Sequence, residues 1–423
     1  MKIYFFLWIV CFIPSFCCFG MREEWKIWTS HAGSKMEARL IRVDTDSVVL
    51  RKKNGSEIAV KIHQLSDADQ KFIDSLEVAK GNTSVEGIDA RPGVVSSKIA
   101  CVKDKKWHYY LYLPESFHDN KEWPVWFIMS PGGGSKSGAL KRYIKGAERL
   151  GCILALSVES KNGFKGSDQA MMAMVEDVYD RLPVAGNLGF SSGMSGGSRM
   201  AFLMAESERN ISGVLSCGSG SGVYVEAKDF RASKLPKSTY VYSLIGTNCF
   251  NRTEAFTCHT KFPKDYRLHF FPGNHDWAGS SYLELGMIRV MGEGLADYVG
   301  NSHQKLKRSY ADCVFTYMDE IKDEEPWEAF YLAQFLSEFP VDRKDQLKAK
   351  KIADTLSKSE QVKLAIEADQ AIWELGSKFY EDVYYKEDRK INKSLLKAAE
   401  KVGKRFVEIP HGEIISLLGK PCK

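Results

Sequence analysis

The sequence predicts an α/β fold class: a mostly parallel sheet covered by helices, preceded by a small β module and followed by an α-helical region. Three observations carry this. Between Lys98 and Gly300, apolar strand-like runs such as Val125–Met129, Cys152–Ser157 and Tyr240–Ile245 alternate with helical stretches. Ahead of them, short alternating segments are punctuated by turn residues. Beyond Gly300 glycine nearly vanishes and apolar residues recur at three and four, as at Ala365, Ala368, Ile372, Leu375 and Phe379. The 423-residue chain is 44% hydrophobic and 27% charged, a globular balance with room for two or three domains of ~150 residues. A formal net charge of +5 without a dense Lys/Arg block gives no ground for a nucleic-acid partner. No apolar run reaches the ~18 residues of a membrane span.

Residues 1–20 read as a secretory signal peptide. Lys2 supplies a positive start, Ile3–Phe16 is apolar, and the small residues Cys18 and Gly20 precede a cut at Met21. The expected location is therefore secreted or periplasmic. Ser15 and Phe16 stand where a lipoprotein signal would place small aliphatic residues before Cys17. Seven cysteines follow that segment without CxxC spacing, and no metal or organic cofactor is implied. Cys249 and Cys258 are close enough in sequence to close one disulfide loop in an oxidising compartment; buried thiols are the alternative.

Residues 21–76 form the first module. Ala38–Val43 alternates, a turn at Asp44–Asp46 follows, and Ser47–Arg51 forms the next strand. Asn54-Gly55, the favoured pair for a tight hairpin, joins it to Glu57–Lys61. Ser66 then caps a short helix with Asp69 three residues on and Phe72 and Ile73 facing inward. With Trp28-Thr29, Gly33, Glu37-Ala38 and Leu65–Asp69, this segment resembles the SLA-homology domain, an SH3-like module. That resemblance implies a protein-binding role with an unassigned ligand. Residues 77–97, rich in Gly, Ser, Asn, Thr and Pro, read as a linker.

The decisive residues lie in the segment 98–300. Gly193-Met194-Ser195-Gly196-Gly197 matches G-x-S-x-G and sits between the strand Leu188–Phe190 and a helix over Ser198–Glu206. Flanking glycines permit a sharp strand-to-helix turn that lifts the hydroxyl to the sheet edge above a helix N-terminus. Pro131-Gly132-Gly133-Gly134 follows the Trp126–Met129 strand, where backbone N–H groups can approach a developing oxyanion. Gly133 and Gly196 are the expected donors. His275, in Gly273-Asn-His-Asp-Trp277 after the last strand, stands where a general base is needed. The histidines His108, His269, His303 and His411 read as solvated or packed.

These motifs resemble the α/β-hydrolase family, most closely secreted esterases of the feruloyl-esterase and polyhydroxybutyrate-depolymerase type. The resemblance implies a Ser–His–acid triad and hydrolysis of carboxylic esters. The sequence departs from it at the acid, because Gly246-Thr-Asn-Cys249 places Cys249 where such enzymes usually carry Asp. A thiol does not stabilise an imidazolium as a carboxylate does. Glu254 is the nearest substitute and Asp276 adjoins the histidine in sequence; otherwise the site is a Ser–His dyad or a catalytically dead relic.

Residues 301–423 predict helices over Leu306–Ile321, Trp327–Leu336, Leu347–Leu356, Val362–Tyr380 and Leu395–Phe406, with breaks at Pro326, Pro340 and Pro410. A scaffold or interaction role is expected there. Two functions follow for the whole chain. One is an esterase acting on carboxylic esters, with acylated carbohydrate outside the cytoplasm as a substrate class. The other is a non-catalytic binding protein on a hydrolase fold that has lost its acid.

Overall fold

The computed structural model describes residues 25–43, 47–53, 56–73, 87–135, 137–208, 210–220, 235–236, 238–252, 266–298, 303–384 and 393–418. Residues 1–20, expected as a signal peptide, the Asn54-Gly55 pair expected as a hairpin turn, Glu254 and Cys258 lie outside the described residues. The chain divides into two compact units, Met1–Asn82 and Thr83–Lys423.

The first unit is a four-stranded antiparallel sheet in the order β1 (Lys26–Thr29), β2 (Lys35–Val43), β3 (Ser47–Lys52), β4 (Glu57–Lys61). The first of these strands was not expected from the sequence. It places Trp28 in the core with Ala38, Val48, Leu50, Leu65 and Ile73, and the indole N–H donates to Ala38 O at 3.1 Å. Helix α1 (67–73) is capped as its sequence predicts: Ser66 Oγ accepts from the Asp69 amide at 3.3 Å. The Asp69 carboxylate accepts from Lys26 Nζ at 2.5 Å and from the Thr29 amide at 2.7 Å, tying the helix to β1. Burial works against that charge, but these donors hold the carboxyl below its usual range.

The second unit is built on an eight-stranded sheet. In chain order the strands are β5 (Ile99–Ala100), β6 (His108–Tyr112), β7 (Trp123–Met129), β8 (Ile153–Ser157), β9 (Val184–Met194), β10 (Ile211–Cys217), β11 (Tyr240–Gly246) and β12 (Tyr266–Phe271). Their order across the sheet is β12-β11-β10-β9-β7-β8-β6-β5. Pairings from β8 through β12 are parallel, and β5 and β6 join antiparallel at one edge. This is the mostly parallel, helix-covered sheet that the sequence predicts. Every residue of β7 is buried, which explains its unbroken apolar sequence. Pro124 is tolerated within it where the register to β9 shifts between Trp123 and Val125.

Alternation along β7 feeds two cores. Trp126 and Ile128 face α2 (Gly138–Lys141), α3 (Ile144–Leu150) and α6 (Ser280–Asp297); Val125, Phe127 and Met129 face α4 (Ser167–Arg181) and α5 (Gly196–Ser207). Helix α6 was not expected from the sequence. Residues 87–97, expected as linker, include the buried Ile88 and Ala90 and a bridge from Val95 to Tyr112.

The C-terminal helices are α7 (His303–Ile321), α8 (Pro326–Glu338), α9 (Arg343–Leu356), α10 (Glu360–Tyr384), α11 (Lys393–Gly403) and α12 (Pro410–Leu418). Pro410, expected as a break, opens the last of them, as proline's fixed φ allows at a first turn. The expected boundary near Gly300 is not a boundary of packing. Tyr310, Val314, Met318 and Leu332 join the core on the α6 face of the sheet. Trp327, Ala365, Ile372, Phe406 and Ile415 form a third cluster with Ile245, Cys249 and Phe270, which covers the β11–β12 edge.

Candidate active site

Strand β9 ends at Met194 and α5 begins at Gly196, so Ser195 is the whole connection. It adopts φ 52° and ψ −119°, a region that costs a non-glycine residue about 1–3 kcal/mol. The surroundings enforce this turn. Ser195 N donates to Cys217 O at 2.8 Å, and its carbonyl accepts from Ser219 Oγ at 3.1 Å. A Cβ at Gly193 would collide with the Gly197 backbone, and one at Gly197 with Met129 O. Both glycines are therefore required by the close approach of helix and strands, as the motif predicts.

The hydroxyl so presented meets the expected histidine. His275 Nε2 lies 2.9 Å from Ser195 Oγ. The histidine loop is fastened to the turn after β11: Thr247 N donates to Phe271 O at 2.9 Å, and Asn248 N to Gly273 O at 2.8 Å. Gly246 allows that contact, because a Cβ there would strike the backbone carbonyls of Gly273 and Asn274. Phe250, 60% exposed, lies over the imidazole with ring centroids 3.9 Å apart.

The other imidazole nitrogen faces sulfur. Cys249 Sγ is 3.0 Å from His275 Nδ1 and 3.7 Å from Gly218 O, which also accepts from Asn251 Nδ2 at 3.0 Å. The Cys249 side chain is fully buried and is a thiol, so the disulfide considered from spacing is not formed at this residue. Its place is set by a tight turn, with Cys249 N donating to Gly246 O at 2.9 Å and Arg252 N to Cys249 O at 3.0 Å. Asp276 points elsewhere; its carboxylate accepts from the Trp277 amide at 2.7 Å. Glu254 lies outside the described residues. A second nearby thiol, Cys217, is pushed up to about 12 by burial and accepts from the Ala278 amide, so it is a packed group rather than a competing nucleophile.

The expected oxyanion donors divide. Gly196 N–H opens α5 directly after the serine, where the helix dipole favours negative charge. Gly133 does not fit the role given to it: its N–H donates to Ser130 O at 2.9 Å and closes a turn. Its glycine identity has another cause, a φ of +72° and a backbone carbonyl, Val158 O, where a Cβ would stand. Asn162, which the sequence reading passed over, packs its carboxamide against Gly196 and donates its backbone N–H to Pro131 O at 2.9 Å. No motif marks it; only the fold brings it there.

Residues 21–80 match the family model of SLA1 homology domain 1. No curated protein matches the chain. Among solved structures, the fluorophosphonate-binding serine hydrolase F of Staphylococcus aureus is similar, at 10% identity over 47% of this chain and 99% of that one, with a TM-score of 0.39. A ferulic acid esterase from the anaerobic fungus Anaeromyces mucronatus aligns at 14% identity over 51% of this chain and 96% of that one, with a TM-score of 0.37. An S-formylglutathione hydrolase from Staphylococcus aureus aligns at 11% identity over 48% and 98%, with a TM-score of 0.36.

Proposed function

We propose that the chain is a secreted serine hydrolase of carboxylic esters, with acylated carbohydrate outside the cytoplasm as its substrate class. The observation that carries this is the 2.9 Å contact between His275 Nε2 and Ser195 Oγ on a serine held at positive φ. Packing alone has no need of a strained serine aimed at an imidazole. The export reading rests on the N-terminal pattern of Lys2, Ile3–Phe16 and Gly20. The module matching SLA1 homology domain 1 serves as a protein-docking element.

The chemistry follows from the atoms. As Ser195 Oγ bonds to the ester carbonyl carbon, its proton passes to His275 Nε2 and the carbonyl electrons move onto oxygen. The Gly196 N–H at the start of α5 is positioned to stabilise that oxyanion. The imidazolium returns its proton to the departing alkoxide, leaving Ser195 acylated. Water then repeats the sequence and releases the acid.

The test is hydrolysis of p-nitrophenyl acetate by the purified mature chain. Ser195→Ala is expected to lower turnover by about 10³-fold or more, to background. Equal turnover in the alanine variant would place the chemistry elsewhere and end this reading.

A further inference from the structure

Within that reading, and resting on it, we infer that Cys249 is the third member of the site, a positioning residue that acts through an uncharged sulfur. A base that takes the Ser195 proton on Nε2 must carry its own proton on Nδ1. That proton needs an acceptor, and the atom at 3.0 Å from Nδ1 is Cys249 Sγ. The thiol hydrogen has a separate destination in Gly218 O, 3.7 Å from the sulfur. Sulfur can thus accept from Nδ1–H while donating its own proton. The chain of contacts, Gly218 O to Cys249 to His275 to Ser195, selects the tautomer in which Nε2 is open to the serine.

Two features make this placement specific. The turn Gly246–Arg252 is stitched to the histidine loop by the Thr247 and Asn248 amides, so sulfur and imidazole cannot drift apart independently. Cys249 is fully buried and belongs to one apolar cluster with Trp327, Ala365 and Ile415 of the C-terminal helices, a surrounding that keeps water from replacing it at Nδ1. The region expected to have a scaffold or interaction role therefore backs the site.

An uncharged acceptor has a different effect from a carboxylate. It orients the imidazole but offers no opposite charge to the imidazolium formed during attack, so turnover is sacrificed. A carboxylate in its place would raise the proton affinity of the imidazole. Among the described residues, the titratable groups near the imidazole have other engagements. Asp276 is turned to the Trp277 amide, Cys217 is bonded to the Ala278 amide, and Arg252 donates to Thr247 O.

The experiment follows the rate at which a fluorophosphonate modifies Ser195 across pH 5–9, with thermal melting as the check on folding. Cys249→Ala is expected to slow modification by ~10-fold or more, and Cys249→Ser, which restores an acceptor and a donor, to recover most of it. Cys249→Asp is expected to accelerate modification by ~10-fold or more and to move the acid limb of the profile to higher pH, because a carboxylate raises the proton affinity of the imidazole. A merely structural cysteine would change melting without moving that limb. An alanine variant with the wild-type rate and the wild-type limb would overturn the inference, as would loss of rate in Glu254→Gln alone. Absence of any Ser195 adduct in the wild type and all variants would instead remove the serine-hydrolase reading itself.

Discussion

Two histidines lie six residues apart on β12 and the loop that follows it, and the contrast between them separates packing from chemistry. His269 Nδ1 is 3.1 Å from Tyr242 Oη and 3.6 Å from the Glu328 carboxylate, which in turn accepts from Arg289 at 2.9 Å. Burial pulls the His269 proton affinity down while Glu328 pushes it up, and the net direction is down. It has the carboxylate neighbour usually sought beside a catalytic base. His275 has a sulfur neighbour instead, yet it faces the strained serine. A histidine beside an acid is thus no signature of a site; what marks the proposed site is a strained serine facing the imidazole.

Exchanging the two roles by mutation gives the largest expected effects. His275→Ala is expected to lower ester turnover by about 10³-fold or more with little change in melting temperature. His269→Ala is expected to do the reverse: a loss of about 2–4 kcal/mol in stability, since it opens a gap beside the buried Glu328–Arg289 pair, with turnover of the folded protein held within about threefold. Activity assays and chemical denaturation of both variants decide the matter. Loss of turnover in well-folded His269→Ala would break the contrast.

Much of the site was legible because its constraints are local. Gly193 and Gly197 are there because no Cβ fits between β7, β9 and α5, and that requirement is visible as a motif. The departure at Cys249 was visible too, from its spacing after Gly246. The partner that gives Cys249 a role was not visible, since it depends on two loops meeting in space. Helix α6 escaped for a related reason. Gly286, Gly292 and Gly294 weaken its helical pattern in the sequence, but they are small because Leu215, Tyr310 and Phe190 press against them. The glycines of the Pro131–Gly134 loop misled in the opposite direction: Gly133 is demanded by backbone geometry, and its amide is already engaged. Sequence reports that a small residue is needed; packing decides why.

A smaller effect sharpens the same comparison on the His269 side. Asp369 accepts from Tyr331 Oη at 2.7 Å and lies 3.6 Å from His411 Nε2. Burial raises its carboxyl to about 6, despite the donor from Tyr331. A carboxyl that holds its proton more tightly when folded adds stability below the ordinary carboxylate range, and that increment is lost as pH rises through about 6. The side chain is 41% exposed, so the increment is modest. Asp369→Asn, which still offers Tyr331 a carbonyl, is expected to melt ~3 °C higher than wild type at pH 7.5 and to lose that advantage at pH 4. Melting curves at the two pH values check it; an identical difference at both would contradict the assignment.

The central claim is that Ser195 is an activated nucleophile, and the direct measurement is where a fluorophosphonate bonds. The purified chain is treated with the probe at pH 7.5, digested, and its adduct located by tandem mass spectrometry, with His275→Ala treated alongside. A stoichiometric adduct on Ser195 is expected in the wild type, formed about 10³-fold more slowly in His275→Ala. No adduct on Ser195, or equal rates in the two proteins, would contradict it.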